Sequence, residues 1–310
     1  MKRRDFIARG LASAAALAAA PLPALARQQA GPLAPPGPPK PKFRLRYAPS
    51  FGQFTSHAGA GLAAQVEFAS NEGFTAMFDN GLMSRPLADQ ETIVRELEKR
   101  GMTLGPFVLL ADFKNRNFVL RDKDVRAALL QKMRDGVETM KRTGARTALV
   151  VPGRYDESLA WEYQTANLVD NLRACMDVCA PAGLTIVLEP LNPRDHPGLF
   201  LSKIPQAYQI CRAVASPHCK IVNDIYHQQI SEGNILPNIE AAWDEIAAFH
   251  VGDNPGRKEP TSGEINFRNV FKYLHGRGYQ GPICMEHGQS KPGLEGERAV
   301  IDAYRSCDAF

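Results

Sequence analysis

The stretch Leu184–Asn192, LTIVLEPLN, decides the fold. A strand-length apolar run leads straight into an acid, Glu189, and Pro190 ends it at once. Three later stretches repeat the design. They are Cys219–His227 (CKIVNDIYH), Ile246–Arg257 (IAAFHVGDNPGR) and Gly281–Gly288 (GPICMEHG), whose apolar runs end on Asp224, His250 and Glu286. The four polar residues lie 35, 26 and 36 residues apart, each close to one strand-helix repeat. Parallel strands that alternate with helices bring their C-terminal ends together on one rim. Three carboxylates and one imidazole gathered there repel one another unless a cation sits between them, and a divalent metal is the economical answer.

Outward from this half, eight strands are expected, at Phe43–Ala48, Phe74–Phe78, Met102–Leu110, Thr147–Val151, Leu184–Leu188, Cys219–Asn223, Ile246–Val251 and Pro282–Met285. Helical patterns fill the gaps. Val125, Leu129, Met133, Val137 and Met140 form one stripe, and Leu168–Cys179 repeats the period. Shorter patterns cover Thr92–Lys99, Ile204–Val214, Val270–Leu274 and Glu297–Tyr304, while Gly101, Gly144 and Gly183 stand where left-handed helix caps belong. Eight alternating units imply a single-domain (β/α)8 TIM barrel of the α/β class. A doubly wound open sheet would need a Gly-rich phosphate-binding loop, and none is found.

The chain's ends and composition set further bounds. Arg3-Arg4-Asp5-Phe6-Ile7, an Ala-rich stretch and Ala24-Leu25-Ala26 read as a twin-arginine signal peptide over residues 1–26, so a periplasmic protein is expected. Residues 27–42 are rich in Pro, Gly and Ala and read as a linker, leaving 43–310 for the barrel. Net charge is +4 with no basic block, which gives nucleic-acid binding no support. No apolar run is long enough to span a bilayer, so no membrane anchor is expected. Of six Cys, Cys175 and Cys179 share an apolar helical face and read as buried small hydrophobes, while Cys211 and Cys219 are open to pairing across a loop.

The site chemistry follows from the rim. Strand side chains alternate, so Val187 and Glu189 share a face, as do Val222 and Asp224, and Cys284 and Glu286. A set of one nitrogen and three carboxylates favours Mn, Mg or Co over structural Zn. A metal that chelates adjacent carbonyl and hydroxyl oxygens acidifies the neighbouring carbon-bound hydrogen. One carboxylate then removes that proton, and its return to the next carbon isomerises, or to the other face epimerises. Arg257 can hold a substrate oxygen, with pairing to Glu259 or Glu264 as its structural alternative. His227 is weighed between a substrate contact and a satisfied histidine at the barrel mouth. His57 and His196 fall on rim loops, with Phe51, Phe54 and Trp161 as packing or lid residues; His287 reads as structural, and His218 and His275 as opposite-rim surface residues.

The runs Glu189-Pro190-Leu191-Asn192, Asp224-Ile225-Tyr226-His227 and Asp253–Pro260 with Ser262–Phe267 resemble hydroxypyruvate isomerase and the wider xylose-isomerase-like barrels of sugar isomerases and epimerases. The resemblance implies that Glu189 and Glu286 are both metal ligands and the catalytic acid/base pair. It implies Asp224 and His250 as the other ligands and His227 and Arg257 as substrate contacts, around the Mn or Mg that the donor set favours. The partner it implies is a small keto acid or keto sugar, in a chain that could assemble as a homo-oligomer. Two departures stand out. Hydroxypyruvate isomerases carry Gln where this chain has His250, as ketose 3-epimerases do, and the last motif reads MEHGQSKPG. A ketose 3-epimerase or a lyase using the same enediolate is therefore the alternative. A non-catalytic periplasmic sugar-binding protein would not need the Glu pair, and an abasic-site endonuclease would need more rim histidines and a basic face.

Overall fold

Residues 40–310 are described by the computed structural model. The expected signal peptide and the expected linker as far as residue 39 lie outside the described residues. The strands are β1 (Arg46–Ala48), β2 (Ala76–Met77), β3 (Thr103–Leu104), β4 (Phe107–Ala111), β5 (Thr147–Val151), β6 (Thr185–Leu188), β7 (Cys219–Asp224), β8 (Ile246–Val251) and β9 (Pro282–Met285). The helices are α1 (Thr55–Ala58), α2 (Leu62–Asn71), α3 (Leu87–Lys99), α4 (Lys123–Thr143), α5 (Trp161–Ala182), α6 (Ile204–Val214), α7 (Ile225–Ser231), α8 (Ile235–Ala242), α9 (Phe267–Gly276) and α10 (Gly293–Asp308).

All ladder pairings are parallel, in the order β1-β9-β8-β7-β6-β5-β4, with β2 beside β3. Pro106 has no N–H to donate, so the third stave is split into β3 and β4. The ring continues across this break. A parallel bridge joins Ser50 to Phe78, and the Gly105 N–H donates to the Met77 carbonyl at 2.8 Å. Gly105 sits where a Cβ would lie 2.9 Å from that of Phe78 and 3.1 Å from Cys284 Sγ, so only a residue without a side chain fits. The architecture is the TIM barrel expected from the sequence.

Period-two alternation sorts the strands into an inner and an outer layer. Leu149, Val151, Val187, Val222 and Ala248 pack together inside the barrel. Ile186, Leu188, Ile221 and Phe249 face the helices, joined there by Leu168, Leu172, Cys175 and Cys179. The side chains two residues after Val187, Val222, Ala248 and Cys284 continue the inner face to the rim, and they are Glu189, Asp224, His250 and Glu286. The helices are held at their ends by local chemistry. The Asp122 carboxylate accepts from the N–H groups of Asp124 and Val125 at 2.8 and 2.9 Å, and Gly144 at φ 73° closes α4 in the left-handed region.

All six cysteines are free and buried, Cys211 and Cys219 included. Burial pushes the Cys175 and Cys179 thiols up to about 12, which leaves them unreactive.

Candidate active site

Strand register brings the four rim residues together. Asp224 of β7 is the direct partner of His250 of β8, and His250 pairs with Cys284, two residues before Glu286. Glu189 follows β6 immediately and donates its N–H to the Val150 carbonyl at 3.2 Å. One donor atom from each of the four residues lies within 4.8 Å of the others. Glu189, Asp224 and His250 are buried, and Glu286 is partly so.

His250 Nδ1 stands 3.0 Å from Glu286 Oε2 and 3.6 Å from Glu189 Oε1. The imidazole therefore bonds to Glu286 and stands close to Glu189 without a hydrogen bond to it. Burial opposes its charge, yet Glu286 and Glu189 hold its pKa well above the usual histidine range. The glutamates are pushed apart. Burial, with Glu286 and Asp224 nearby, raises Glu189. Burial acts on Glu286 in the same direction but is outweighed by His250 and Arg257, which hold that carboxyl well below the usual range.

Asp224 does two things at once. Its Oδ1 caps α7, accepting from the Tyr226 and His227 N–H groups at 2.8 and 3.4 Å, and its Oδ2 faces the site. Arg257 Nη2 lies 2.9 Å from that Oδ2 and 2.7 Å from Glu286 Oε2, with its guanidinium 5.0 Å from the Tyr226 ring centroid. This corrects the alternative that paired Arg257 with Glu259 or Glu264. Glu259 instead accepts from Ser290, and Glu264 from Asn254 and Gln229. The reason is geometric: a turn in the 253–265 loop carries Arg257 inward over the rim, beyond the reach of its sequence neighbours.

That turn is held by Asp253. Its fully buried carboxylate accepts from the N–H groups of Gly263 at 2.9 Å and Ile265 at 3.1 Å. A Cβ on Gly263 would stand 2.3 Å from the Asn254 carbonyl oxygen and 2.6 Å from Asp253 Oδ1. Gly263→Ala is accordingly expected to displace the loop and Arg257 with it. Misplacement of such a group by about 1 Å can cost about 10²-fold. Steady-state kinetics beside a thermal melt check this: a loss of that order is expected with the melting temperature only slightly lowered, and unchanged kinetics would refute it.

A cavity of about 210 Å³ opens beside the cluster. Asn80, His196, His227, Arg257, Glu189 and Glu286 form its polar wall, and Val108, Ala111, Leu149, Val151 and Leu191 its apolar one. Phe113 stacks on His196 at its edge, 5.3 Å between centroids. Burial pushes the His227 imidazole down to about 4. His57 does not line this cavity; its Nδ1 pairs with Glu297 Oε2 at 2.6 Å. His287 is structural, with Nε2 3.0 Å from Tyr304 Oη, and Trp161 stacks on Phe200. Phe54 is core, and Phe51 packs against Arg85.

Asn80 was not among the residues singled out from the sequence. It follows β2 and donates from Nδ2 to Glu286 Oε1 at 2.5 Å across a separation of 206 residues. No local pattern marks such a contact.

The donor set fits a divalent cation. Three carboxylates converge where, among the described residues, Arg257 is the one fixed positive charge, and Glu189 Oε1 is buried without a hydrogen-bond partner. A buried, unpartnered carboxylate oxygen aimed at two other acids is costly unless a cation takes the lone pair.

The sequence model described as Xylose isomerase-like TIM barrel matches residues 63–307. The chain is 32% identical over 182 residues to "Hydroxypyruvate isomerase" of Escherichia coli (strain K12), covering 56% of this chain and 69% of that one. It is 33% identical over 122 residues to "2-oxo-tetronate isomerase" of Cupriavidus necator, covering 39% of this chain and 47% of that protein. The crystal structure of 3-keto-D-glucoside 4-epimerase from E. coli superposes with a TM-score of 0.68 at 18% identity, over 85% of this chain and all of that one. With the fold, the rim cluster and a family match over most of its length, the chain belongs to the xylose isomerase-like TIM-barrel family.

Proposed function

We propose that the chain is a metal-dependent isomerase that moves a proton between adjacent carbons of a small hydroxy-keto substrate, in the manner of a hydroxypyruvate isomerase. One observation carries the reading: two glutamates, Glu189 and Glu286, flank His250 beside a cavity of about 210 Å³, with Glu286 bonded to the imidazole at 3.0 Å and Glu189 Oε1 3.6 Å from it. Binding alone needs no such pair. The cavity lies below the range of about 300–1,000 Å³ usual for drug-sized ligands, which suits a short keto acid or keto sugar.

Glu189, Asp224, His250 and Glu286 would hold the cation, Mn or Mg from the hardness of the set, with Co as a further option. Bound there, it would polarise the substrate's carbonyl and hydroxyl oxygens and acidify the hydrogen beside them. Glu189 and Glu286 are the acid/base pair: one takes the proton from carbon and one returns it. Arg257 and His227 hold substrate oxygens, and Arg257 faces the developing charge of the enediolate. The apolar wall excludes water from the reacting carbons.

A second reading, ketose 3-epimerisation, rests on His250, the ligand position at which the sequence resembles the ketose 3-epimerases more than the hydroxypyruvate isomerases. The two share proton abstraction and differ in where the proton returns. Incubating metal-loaded protein with hydroxypyruvate and a panel of keto sugars in deuterated water tests both. Deuterium is expected in substrate or product; its absence with every compound would overturn the proposal.

We also propose export by the twin-arginine route. The mature protein is expected in the periplasm, cut after Ala26, and Arg3→Lys with Arg4→Lys should hold the precursor in the cytoplasm. Normal export of that double variant, followed by fractionation and immunoblot, would refute it. Among the described residues no helix is long and apolar enough to cross a membrane.

A further inference from the structure

The buried Asn192 contacts a histidine that the chemistry above uses only as a substrate contact. Asn192 has no solvent exposure, and its amide orientation is fixed by its partners. Its Oδ1 accepts from the N–H groups of Arg194 and Asp195 at 3.1 and 2.9 Å, so Nδ2 is the atom on the other side. Nδ2 donates to Asp195 Oδ2 at 3.0 Å and to His227 Nδ1 at 2.7 Å. The Asn192 backbone N–H also points to His227 Nδ1, at 3.3 Å. A proton on Nδ1 would therefore face two donor hydrogens. The ring's remaining nitrogen, Nε2, is buried, has no hydrogen-bond partner, and belongs to a residue lining the cavity. Its nearest carboxylate oxygen, Asp224 Oδ2, is 3.6 Å away, too far for a hydrogen bond.

We infer that Asn192 is a positioning residue that locks His227 in the tautomer with its proton on Nε2, making His227 a hydrogen-bond donor to a substrate oxygen and not a base. A neutral histidine carries one donor and one acceptor nitrogen, and the bond at one sets the role of the other. With Nδ1 occupied as acceptor, Nε2–H is aimed into the cavity before substrate arrives. Such a donor lowers the barrier when negative charge develops on the oxygen it faces. The part of this inference that concerns catalysis rests on the proposed isomerase reading; the tautomer does not.

Two experiments separate the parts. The first is nitrogen NMR of the folded full-length protein with labelled histidine, assigned with His227→Gln. His227 is expected to show an acceptor-type Nδ1 and a protonated Nε2. Asn192→Asp keeps the Oδ1 acceptor and replaces the Nδ2 donor by an oxygen, so it is expected to move a proton onto Nδ1. A wild-type protein with its proton on Nδ1, or an unchanged His227 signature in Asn192→Asp, overturns the inference. The second is hydrogen exchange on the substrate found active above. His227→Gln keeps an N–H donor and cannot act as base, so it is expected to retain exchange within about tenfold. His227→Leu should lose about 10²-fold or more, the loss typical of a removed oxyanion donor. Equal loss in both variants would make His227 a base and refute its donor role. Failure of every substrate in the panel would count against the isomerase reading alone, because the NMR result stands without turnover.

Discussion

Glu189→Gln and Glu286→Gln proteins, assayed with saturating metal, are each expected to lose exchange of the substrate's carbon-bound hydrogen by about 10²–10⁴-fold, the usual weight of general acid-base catalysis. The substitution preserves shape and removes the proton-accepting charge. Folding should survive, because neither side chain is a hub of the core: Glu286 is only partly buried, and Glu189 Oε1 has no hydrogen-bond partner to lose. The two losses need not match. Glu286 also pairs with Arg257 Nη2 at 2.7 Å and accepts from Asn80, so its variant disturbs two neighbours besides removing the proposed acid/base group. Each variant also removes a candidate ligand charge, which is why the metal must saturate. Circular dichroism and a melt run beside the exchange assay establish that the fold is intact. Near wild-type exchange in either variant would make that glutamate a bystander in proton transfer.

The barrel was legible because its signal is local and repeated. Each of the eight expected strands has a counterpart in the structure, and Ile204–Val214 has the same bounds as the expected helix. Helices were read short where their ends are polar or aromatic. The stripe Val125–Met140 is the apolar middle of a helix running from Lys123 to Thr143, and Leu168–Cys179 the middle of one starting at Trp161. Besides the single turn Thr55–Ala58, three helices went unread: Leu62–Asn71, Ile225–Ser231 and Ile235–Ala242. The first is Ala-rich with a weak apolar stripe, and no side chain caps it. The second follows β7 without a loop, and Asp224 serves both strand end and cap. The four rim residues were legible for the same reason as the strands, since each ends an apolar run. Their partners were not. Asn80 reaches Glu286, Arg257 reaches Asp224, and Asn192 reaches His227 through side-chain contacts made only by closure of the ring. Sequence spacing carries no period for such contacts, and the nearest-neighbour guess for Arg257 failed for that reason.

Removing divalent metal with a chelator is expected to abolish activity and lower the melting temperature, with Mn or Mg restoring both. Glu189, Asp224 and Glu286 place three carboxylates within one buried cluster, with His250 and Arg257 beside them. Arg257 offsets part of that charge through Asp224 and Glu286, while the buried Glu189 Oε1 remains unpaired. A cation that binds the folded state alone stabilises it by about 2.7 kcal/mol at a hundred times its dissociation constant. For a domain of this size that corresponds to a shift of about 5–10 °C. Asp224→Asn is the informative control. It keeps an oxygen to accept from the Tyr226 N–H and so preserves the cap on α7, but it withdraws one charge from the cluster. Its melting temperature should respond weakly to added metal, whereas the wild-type protein should respond in full. Metal analysis finding no bound ion, together with melting curves that coincide with and without chelator, would remove the cation from the site and leave the three carboxylates without an account.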